Sequence, residues 1–203
     1  MERKSQKGYL LLADISGYTS FVAKTEIEHA EKAISILLEA VIEKISDLFT
    51  IAKLEGDAIF AYLPEDQLEN CIVLFDLIDN TYATFRDSAL ALHRQATCPC
   101  KACQAIPSLD LKFFVHHGEY VLQQVAGIKD LLGSDVTLIH RLAKNSVSDS
   151  MGWHGYILLT DQSLECMRAS KQPFIQQTEE YEHLGEVKTF VMNLHERYDG
   201  PKM

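Results

Sequence analysis

The chain has 203 residues, of which 47% are apolar and 24% are charged, and it carries a formal net charge of −10 at pH 7. This length and composition are typical of a soluble globular protein that buries one substantial core, and they predict a single domain. The acidic balance, without a basic stripe, argues against general nucleic-acid binding, so an anionic ligand would have to be held by metal ions or local cations.

The first half of the chain alternates strands and helices. A near-continuous apolar run over residues 9–15 predicts a strand that is covered on both faces or lies next to an active site. From Glu26 to Leu48, apolar residues recur at three- and four-residue steps and predict a long amphipathic helix. Two β-rich runs over 49–54 and 58–63 predict a hairpin with Asp57 at its turn. Helical spacing returns over 68–85 and predicts a second long helix.

The second half is predicted to be richer in strands. Residues 109–116 and 119–126 predict a pair of strands around Gly118, and residues 136–143 predict a helix. Two more strands, over 156–159 and 186–194, flank a short helix near 163–168. The order strand, helix, strand, strand, helix, strand is that of a ferredoxin-like split βαβ core. We therefore predict an α+β fold with an antiparallel sheet, two long helices and appended C-terminal strands.

These elements define the expected domain boundaries. A single domain is predicted over 8–195, with a cysteine-bearing loop at 95–108, an N-terminal tail at 1–7 and a C-terminal tail at 196–203. The apolar run after the partly basic start breaks at Asp14, which predicts neither a signal peptide nor a membrane span. Five cysteines, an odd number in a chain without an export signal, predict reduced thiols and a cytoplasmic location.

Two acidic residues stand where an apolar strand meets a tight turn. Asp14 begins the run Asp-Ile-Ser-Gly-Tyr-Thr at 14–19, and Asp57 ends the run Lys-Leu-Glu-Gly-Asp at 53–57. An acid is costly to bury unpaired, so each position needs a hydrogen-bonding turn or a cation. The split βαβ topology sets the first strand antiparallel to the third and makes the two acids neighbours. Two acids in matching settings favour a shared metal site over two unrelated turn residues.

Several spaced motifs resemble the catalytic domain of class III nucleotidyl cyclases, the adenylate and guanylate cyclase family, over about 9–141. The family motifs Asp-Ile-x-Gly-Phe/Tyr-Thr and Lys-x-x-Gly-Asp match 14–19 and 53–57. A basic residue followed by His-x-Gly is matched loosely at 112–118, and Asp-x-x-Gly-x-x-Val-Asn-x-x-x-Arg is matched at 130–141 except at Thr137. Motifs in the right order are far more specific than any one alone.

The resemblance implies binding of a purine nucleoside triphosphate, which the family cyclises by attack of the ribose 3′ oxygen on the α-phosphorus with release of pyrophosphate. Two Mg²⁺ or Mn²⁺ ions are expected at Asp14 and Asp57. The triphosphate is expected along the backbone amides of the strand-to-helix turn. These amides belong to Ile15, Ser16, Gly17, Tyr18 and Thr19.

The remaining motif positions are expected around the base, the ribose and the reacting phosphate. Lys53 and Asp130 match the positions that read the purine edge, and this pair resembles the adenine-selecting form. Lys112 stands where the family has a phosphate-contacting arginine, and Arg141 matches the transition-state arginine. The family's shared sites imply a homodimer in which one subunit supplies the acid pair and the other supplies Lys53, Asp130, Thr137 and Arg141. Each of these charges is also compatible with a solvated surface position.

Two departures leave a second function open. Thr137 replaces the asparagine that orients the ribose, and a hydroxyl lacks the reach and the two-sided hydrogen bonding of an amide. The run Tyr-Glu-His-Leu at 181–184 stands in place of the family's lysine-rich phosphate loop. The alternative to a cyclase is therefore a non-catalytic cyclase-homology module that binds nucleotide or metal.

The loop at 95–108 carries a second candidate metal site. Cys98, Cys100 and Cys103 lie within six residues, and His93 stands five residues upstream. Three thiols can converge on zinc, with His93 or a group from a partner chain as the fourth ligand. This spacing is only half of a standard zinc pattern, so a loop of reduced thiols without metal is the competing interpretation.

Overall fold

The computed structural model describes residues 5–168 and 173–200, and these residues build one mixed sheet with helices on both faces. The strands are β1 (Gln6–Ser16), β2 (Thr50–Glu55), β3 (Ala58–Pro64), β4 (Asp110–Val125), β5 (Ile128–Leu132), β6 (Tyr156–Thr160), β7 (Ile175–Tyr181) and β8 (Gly185–Asn193). The helices are α1 (Tyr18–Lys24), α2 (Ile27–Ile45), α3 (Cys71–Gln95), α4 (Lys101–Ala105), α5 (Ser134–Leu142), α6 (Val147–Met151), α7 (Asp161–Arg168) and α8 (Leu194–Asp199), with 3₁₀ turns at Glu65–Gln67 and Ile106–Ser108.

The sheet order confirms the predicted α+β fold. The strands lie in the order β2-β3-β1-β4-β6-β8-β7, and β5 pairs with the far end of β4. The first four of these strands, with α2 and α3 as crossovers, have the order of a split βαβ core. All neighbours are antiparallel except β4 and β6.

β1 is central and buried on both faces, which is why its sequence is apolar without alternation. Leu11 and Ala13 point into the larger core under α2 and α3, whereas Leu10 and Leu12 point into a second core. That second core is closed by residues of α5 and α6, including Ile139. Asp14 follows Leu10 and Leu12 in the same alternation, so its side chain lies on the α5 side of the sheet.

The predicted break at Gly118 is wrong. β4 runs unbroken from Asp110 to Val125, and the chain reverses at Ala126 and Gly127, which have φ angles of 51° and 86° and open the hairpin to β5. Gly118 instead permits a close approach, because a Cβ there would lie 2.3 Å from Asp135 Oδ2. A glycine is needed at this position because the Asp135 side chain of another element approaches the strand closely. From the sequence alone, such a glycine looks the same as one that forms a turn.

The prediction of five reduced thiols is also wrong. Cys71 at the start of α3 and Cys166 on α7 form a disulfide across 95 residues of sequence, so the cysteine count no longer supports a cytoplasmic location. The predicted tails overlap regular structure, since β1 starts at Gln6 and α8 extends to Asp199. Among the helices in the described ranges, none combines the length and the apolarity that a membrane crossing requires.

Candidate functional site

Asp14 and Asp57 are brought together at one end of the sheet. Asp14 pairs with Ala58 in the β1–β3 ladder, and the backbone N–H of Ile15 donates to the carbonyl of Asp57 at 3.3 Å. Burial, and next the Asp14 carboxylate, raise the pKa of Asp57 to about 6. The two residues, called the acid pair below, are therefore the neighbours that the topology predicted, and their charges repel each other.

Lys112 is the cation of the acid pair in this structure. It faces Asp14 in the β1–β4 ladder, and its Nζ lies 2.7 Å from Asp14 Oδ2. Both side chains are largely buried, with 16% and 20% of their surface exposed. The residue predicted to contact phosphate thus neutralises one of the two predicted metal ligands, which motif spacing does not reveal.

Tyr156 closes the side of the site away from β1. It pairs with Lys112 across β4 and β6, and its hydroxyl donates to Asn145 Oδ1 at 3.0 Å. Burial raises the pKa of Tyr156. The ion pair between Lys112 and Asp14 therefore lies beside the buried Tyr156. Low water access strengthens the electrostatic interaction of this pair.

The predicted triphosphate turn lies next to the acid pair. Gly17 adopts a left-handed conformation with φ 88° and starts α1, and its carbonyl accepts the N–H of Phe21 at 2.9 Å. The amide of Ile15 is already bonded to Asp57, so it does not contribute to an anion site as predicted. Ser16 is buried opposite Asp110 in the β1–β4 ladder, and Tyr18 and Thr19 form the first turn of α1.

Lys53 and Asp130 lie on β2 and β5, which are close in space. Lys53 is exposed and forms an ion pair with Glu55 at 3.1 Å. Glu55 raises the pKa of Lys53, and Asp130 adds a smaller effect of the same sign. A cavity of about 390 Å³ lies beside these strands and is lined by Ile51, Tyr62 and Asp130 among others. The structure thus brings the two predicted base-reading residues to one region.

Thr137 and Arg141 are both exposed on α5, one turn apart, so they share a face of the helix. The hydroxyl of Thr137 donates to the carbonyl of Gly133 at 3.3 Å. This bond turns the Thr137 hydroxyl toward its own helix. The predicted site residues thus lie on separate elements of one chain. These are the acid pair at the end of β1, Lys53 and Asp130 on β2 and β5, and Thr137 and Arg141 on α5.

The cysteine loop differs from the prediction in its fourth member. His29 of α2, and not His93, completes a group with Cys98, Cys100 and Cys103. His93 instead contacts the carbonyl of Cys103 through Nδ1 at 2.9 Å. The N–H of Cys103 lowers the pKa of the Cys100 thiol to about 7. His29 lies on an exposed helix face far away in sequence, and no local signal marks it.

Comparison with known proteins reveals both a sequence family and a fold. A family model described as "Protein of unknown function (DUF2652)" matches residues 34–151. The uncharacterized protein Rv2561/Rv2562 of Mycobacterium tuberculosis (strain ATCC 25618 / H37Rv) is 32% identical over 159 residues, which cover 78% of this chain and 72% of that protein.

Solved cyclase structures share the fold. A bacterial light-regulated adenylyl cyclase has a TM-score of 0.71 at 14% identity, with 96% of this chain and 53% of that chain covered, so this chain spans about half of its length. The guanylyl cyclase Cya2 has a TM-score of 0.73 at 16% identity, with 98% of each chain covered. At these identities the likeness shows the fold alone. The family is shown by sequence, over more than half of the chain, and the chain belongs to the DUF2652 family.

Proposed function

We propose that this chain is a divergent class III cyclase-like protein that binds a purine nucleoside triphosphate with two divalent cations and, as a homodimer, forms a 3′,5′-cyclic nucleotide and pyrophosphate. The observation that carries the proposal is the acid pair: one carboxylate on β1 and one in the β2–β3 turn lie near each other at the end of β1, and this proximity adds to burial in raising the pKa of Asp57 to about 6. The fold shared with adenylyl and guanylyl cyclases supports it.

The residues of the acid pair fit a divalent cation. Carboxylate oxygens are the ligands that Mg²⁺ and Mn²⁺ prefer, and a cation bound there would offset the repulsion that adds to burial in raising the pKa of Asp57. Bound cations would supply activation of the ribose 3′ oxygen and neutralisation of phosphate charge. Before a cation binds, Lys112 must release Asp14. A triphosphate offers the Lys112 Nζ an alternative anionic partner. We therefore infer that Lys112 exchanges Asp14 for phosphate when nucleotide binds.

The other predicted residues act around this centre. The turn at 16–19 follows Asp14 and Ile15 in the chain and offers backbone N–H groups to the triphosphate. Lys53 and Asp130 present a donor and an acceptor to the edge of a purine, and Arg141 offsets the charge that develops on the phosphoryl oxygens. Thr137 is the ribose contact. Each chain carries all of these groups, so a symmetric dimer has two sites.

A second subunit is supported by exposed apolar residues near the base-reading pair. Leu54 on β2 is 52% exposed, and Ile128 and Leu132 on β5 are 72% and 56% exposed. β2 and β5 contact each other, and apolar side chains exposed on neighbouring elements mark interaction sites more often than isolated ones do. A twofold-related copy that covers β2 and β5 would bring its acid pair toward these residues, as the shared-site arrangement requires.

Two contacts favour the alternative, a regulatory module that binds nucleotide or metal without turnover. The hydroxyl of Thr137 is bonded within its own helix, and Lys112 neutralises Asp14. The run 181–184 forms a tight β7–β8 turn with an acid, Glu182, in place of a phosphate-holding loop. Misplaced contacts in such sites cost on the order of 10²-fold in rate. These features weaken turnover more than they weaken binding.

One assay separates the two functions. The purified protein is incubated with ATP or GTP and Mg²⁺ or Mn²⁺, cyclic product is measured by chromatography, and nucleotide binding is measured in parallel by calorimetry. Asp57→Ala is the test variant, and Asp47→Ala, which changes an exposed acid after α2, is the matched control. Product that disappears only in Asp57→Ala supports the enzyme. Metal-dependent binding without product supports the module, and absence of both activities in the parent protein overturns the proposal.

A further inference from the structure

A second cluster of metal-binding side chains lies outside the acid pair. His29 of α2 and the thiols of Cys98, Cys100 and Cys103 have ligand atoms that all lie within 4.8 Å of one another. It is the one group of three or more histidine, cysteine or acidic side chains found at such distances in the described ranges. The cluster shares no residue with the acid pair, so its ligand is independent of the proposed nucleotide site.

The spacing of the cluster matches a tetrahedral metal. With Zn–S bonds of about 2.3 Å, a regular tetrahedron has edges of about 3.8 Å. His29 Nδ1 lies 3.1 Å from Cys100 Sγ and 3.8 Å from Cys103 Sγ. We propose that these four side chains hold one Zn²⁺ in a closed site. Thiolate and imidazole ligands select zinc over the hard cations expected at the acid pair.

The backbone around the thiols is already arranged as a metal-binding loop. The N–H of Cys103 donates to Cys100 Sγ at 3.4 Å, and Gln104 Nε2 donates to the carbonyl of Pro99 at 2.9 Å. The N–H of Ala102 donates to Glu26 Oε2 at 3.1 Å. The last bond joins the loop to the residue before α2, so two independent contacts, through Glu26 and His29, dock the loop on the same helix start.

The proposed zinc has a structural role rather than a catalytic one. Four protein ligands leave no open coordination position for water or substrate. The metal would join the first turns of α2 to the connection that precedes β4. These two segments are connected to the candidate site along the chain, since α2 follows the turn at 16–19 through α1, and β4, which carries Lys112, follows the cysteine loop. Zinc would therefore hold together the two segments that lead to the candidate site.

Two histidines in contact with the same loop allow a matched test. The purified full chain is loaded with zinc, desalted and assayed for metal by mass spectrometry, and zinc affinity is measured by competition with a chromophoric chelator. His29→Gln is compared with His93→Gln, which alters a side chain bonded to the loop but outside the cluster. We expect one zinc per chain and a loss of zinc affinity of more than about tenfold in His29→Gln. Loss of an outer-sphere partner typically costs at least about tenfold, and loss of a direct ligand should cost more. His93 contacts only the backbone carbonyl of Cys103, so His93→Gln removes no ligand and should lose much less affinity than His29→Gln does.

Substitution by Co²⁺ identifies the ligands independently of affinity. The cobalt protein should show the intense visible bands of tetrahedral cobalt and a thiolate-to-metal charge-transfer band, and Cys100→Ser should weaken the latter. Circular dichroism of each variant verifies that the fold is retained. Less than one metal per chain after loading, a cobalt spectrum without thiolate bands, or equal affinity in His29→Gln and the parent would each overturn the zinc site.

Discussion

Replacement of Asp57 by asparagine should stabilise the metal-free protein at neutral pH. Asparagine retains the size and the turn preference of aspartate but removes the charge that faces Asp14. Burial and the Asp14 carboxylate raise the pKa of Asp57 from 3.8 to about 6, so its ionised form is disfavoured in the folded state. The parent protein carries this unfavourable ionisation above pH 6, and the variant does not.

The magnitude follows from the difference between the two pKa values. A gap from 3.8 to about 6 corresponds to about 3 kcal/mol at roughly 1.4 kcal/mol per pH unit. Because the carboxyl is only half-buried, solvent screening reduces this to roughly 1–2 kcal/mol. The folded state binds more protons than the unfolded state between about pH 4 and pH 6, so the stability contributed by this group falls as the pH rises through that window. The advantage of Asp57→Asn should therefore be absent near pH 4 and complete above about pH 6.5.

Divalent cations should reverse the order of stability. A ligand that binds only the folded state adds about 2.7 kcal/mol at a concentration of 100 times its Kd. The parent should gain this amount from Mn²⁺, whereas Asp57→Asn lacks one of the two ligands and should gain much less. The variant is thus expected to be the more stable protein in chelator and the less stable one in saturating Mn²⁺.

Urea unfolding followed by circular dichroism measures both effects. Free energies of unfolding are compared at about pH 4 and pH 7.5, in EDTA and in Mn²⁺, for the parent, Asp57→Asn and the control Asp47→Asn. The control should follow the parent under every condition, since Asp47 is exposed in the turn after α2. The reasoning fails if Asp57→Asn is less stable than the parent in EDTA at the higher pH, or if Mn²⁺ stabilises both equally.

Two further sets of substitutions test the structure around the site. Lys112→Met should destabilise the metal-free protein by about 1–3 kcal/mol, because it leaves Asp14 without its cation in a largely buried position. Mn²⁺ should restore more stability to this variant than to the parent. An equal response to Mn²⁺ in both proteins contradicts the exchange proposed for Lys112. Gly8→Ala should cost more than Gly118→Ala, since the new Cβ would lie 2.2 Å from the backbone carbonyl oxygen of Leu63 in the first case but against a movable side chain in the second. Urea unfolding of the two alanine variants measures the difference, and the opposite order would show that the backbone of β3 at Gly8 yields more easily than the Asp135 side chain does at Gly118.

Local pattern was sufficient for the central part of the fold and for one feature of the site. The apolar run of β1, the hairpin around Asp57, the two long amphipathic helices and the strand that follows them give an order of four strands and two helices that allows few topologies. Because β1 lies antiparallel to β3 in that topology, the meeting of Asp14 and Asp57 followed from the order of elements alone.

Only the tertiary structure determined which side chains meet across elements. Periodicity tells which face of a helix or strand is covered, but it does not name the atoms that cover it. Lys112 lies on Asp14, His29 joins the cysteine loop in place of His93, and Cys71 pairs with Cys166 because strands and helices distant in sequence pack side by side. The sequence by itself thus determined the order of the four central strands and the acids at their end. Packing between segments remote in sequence decided the positions of the remaining strands, the cation that faces Asp14, the fourth residue of the cysteine cluster and the disulfide.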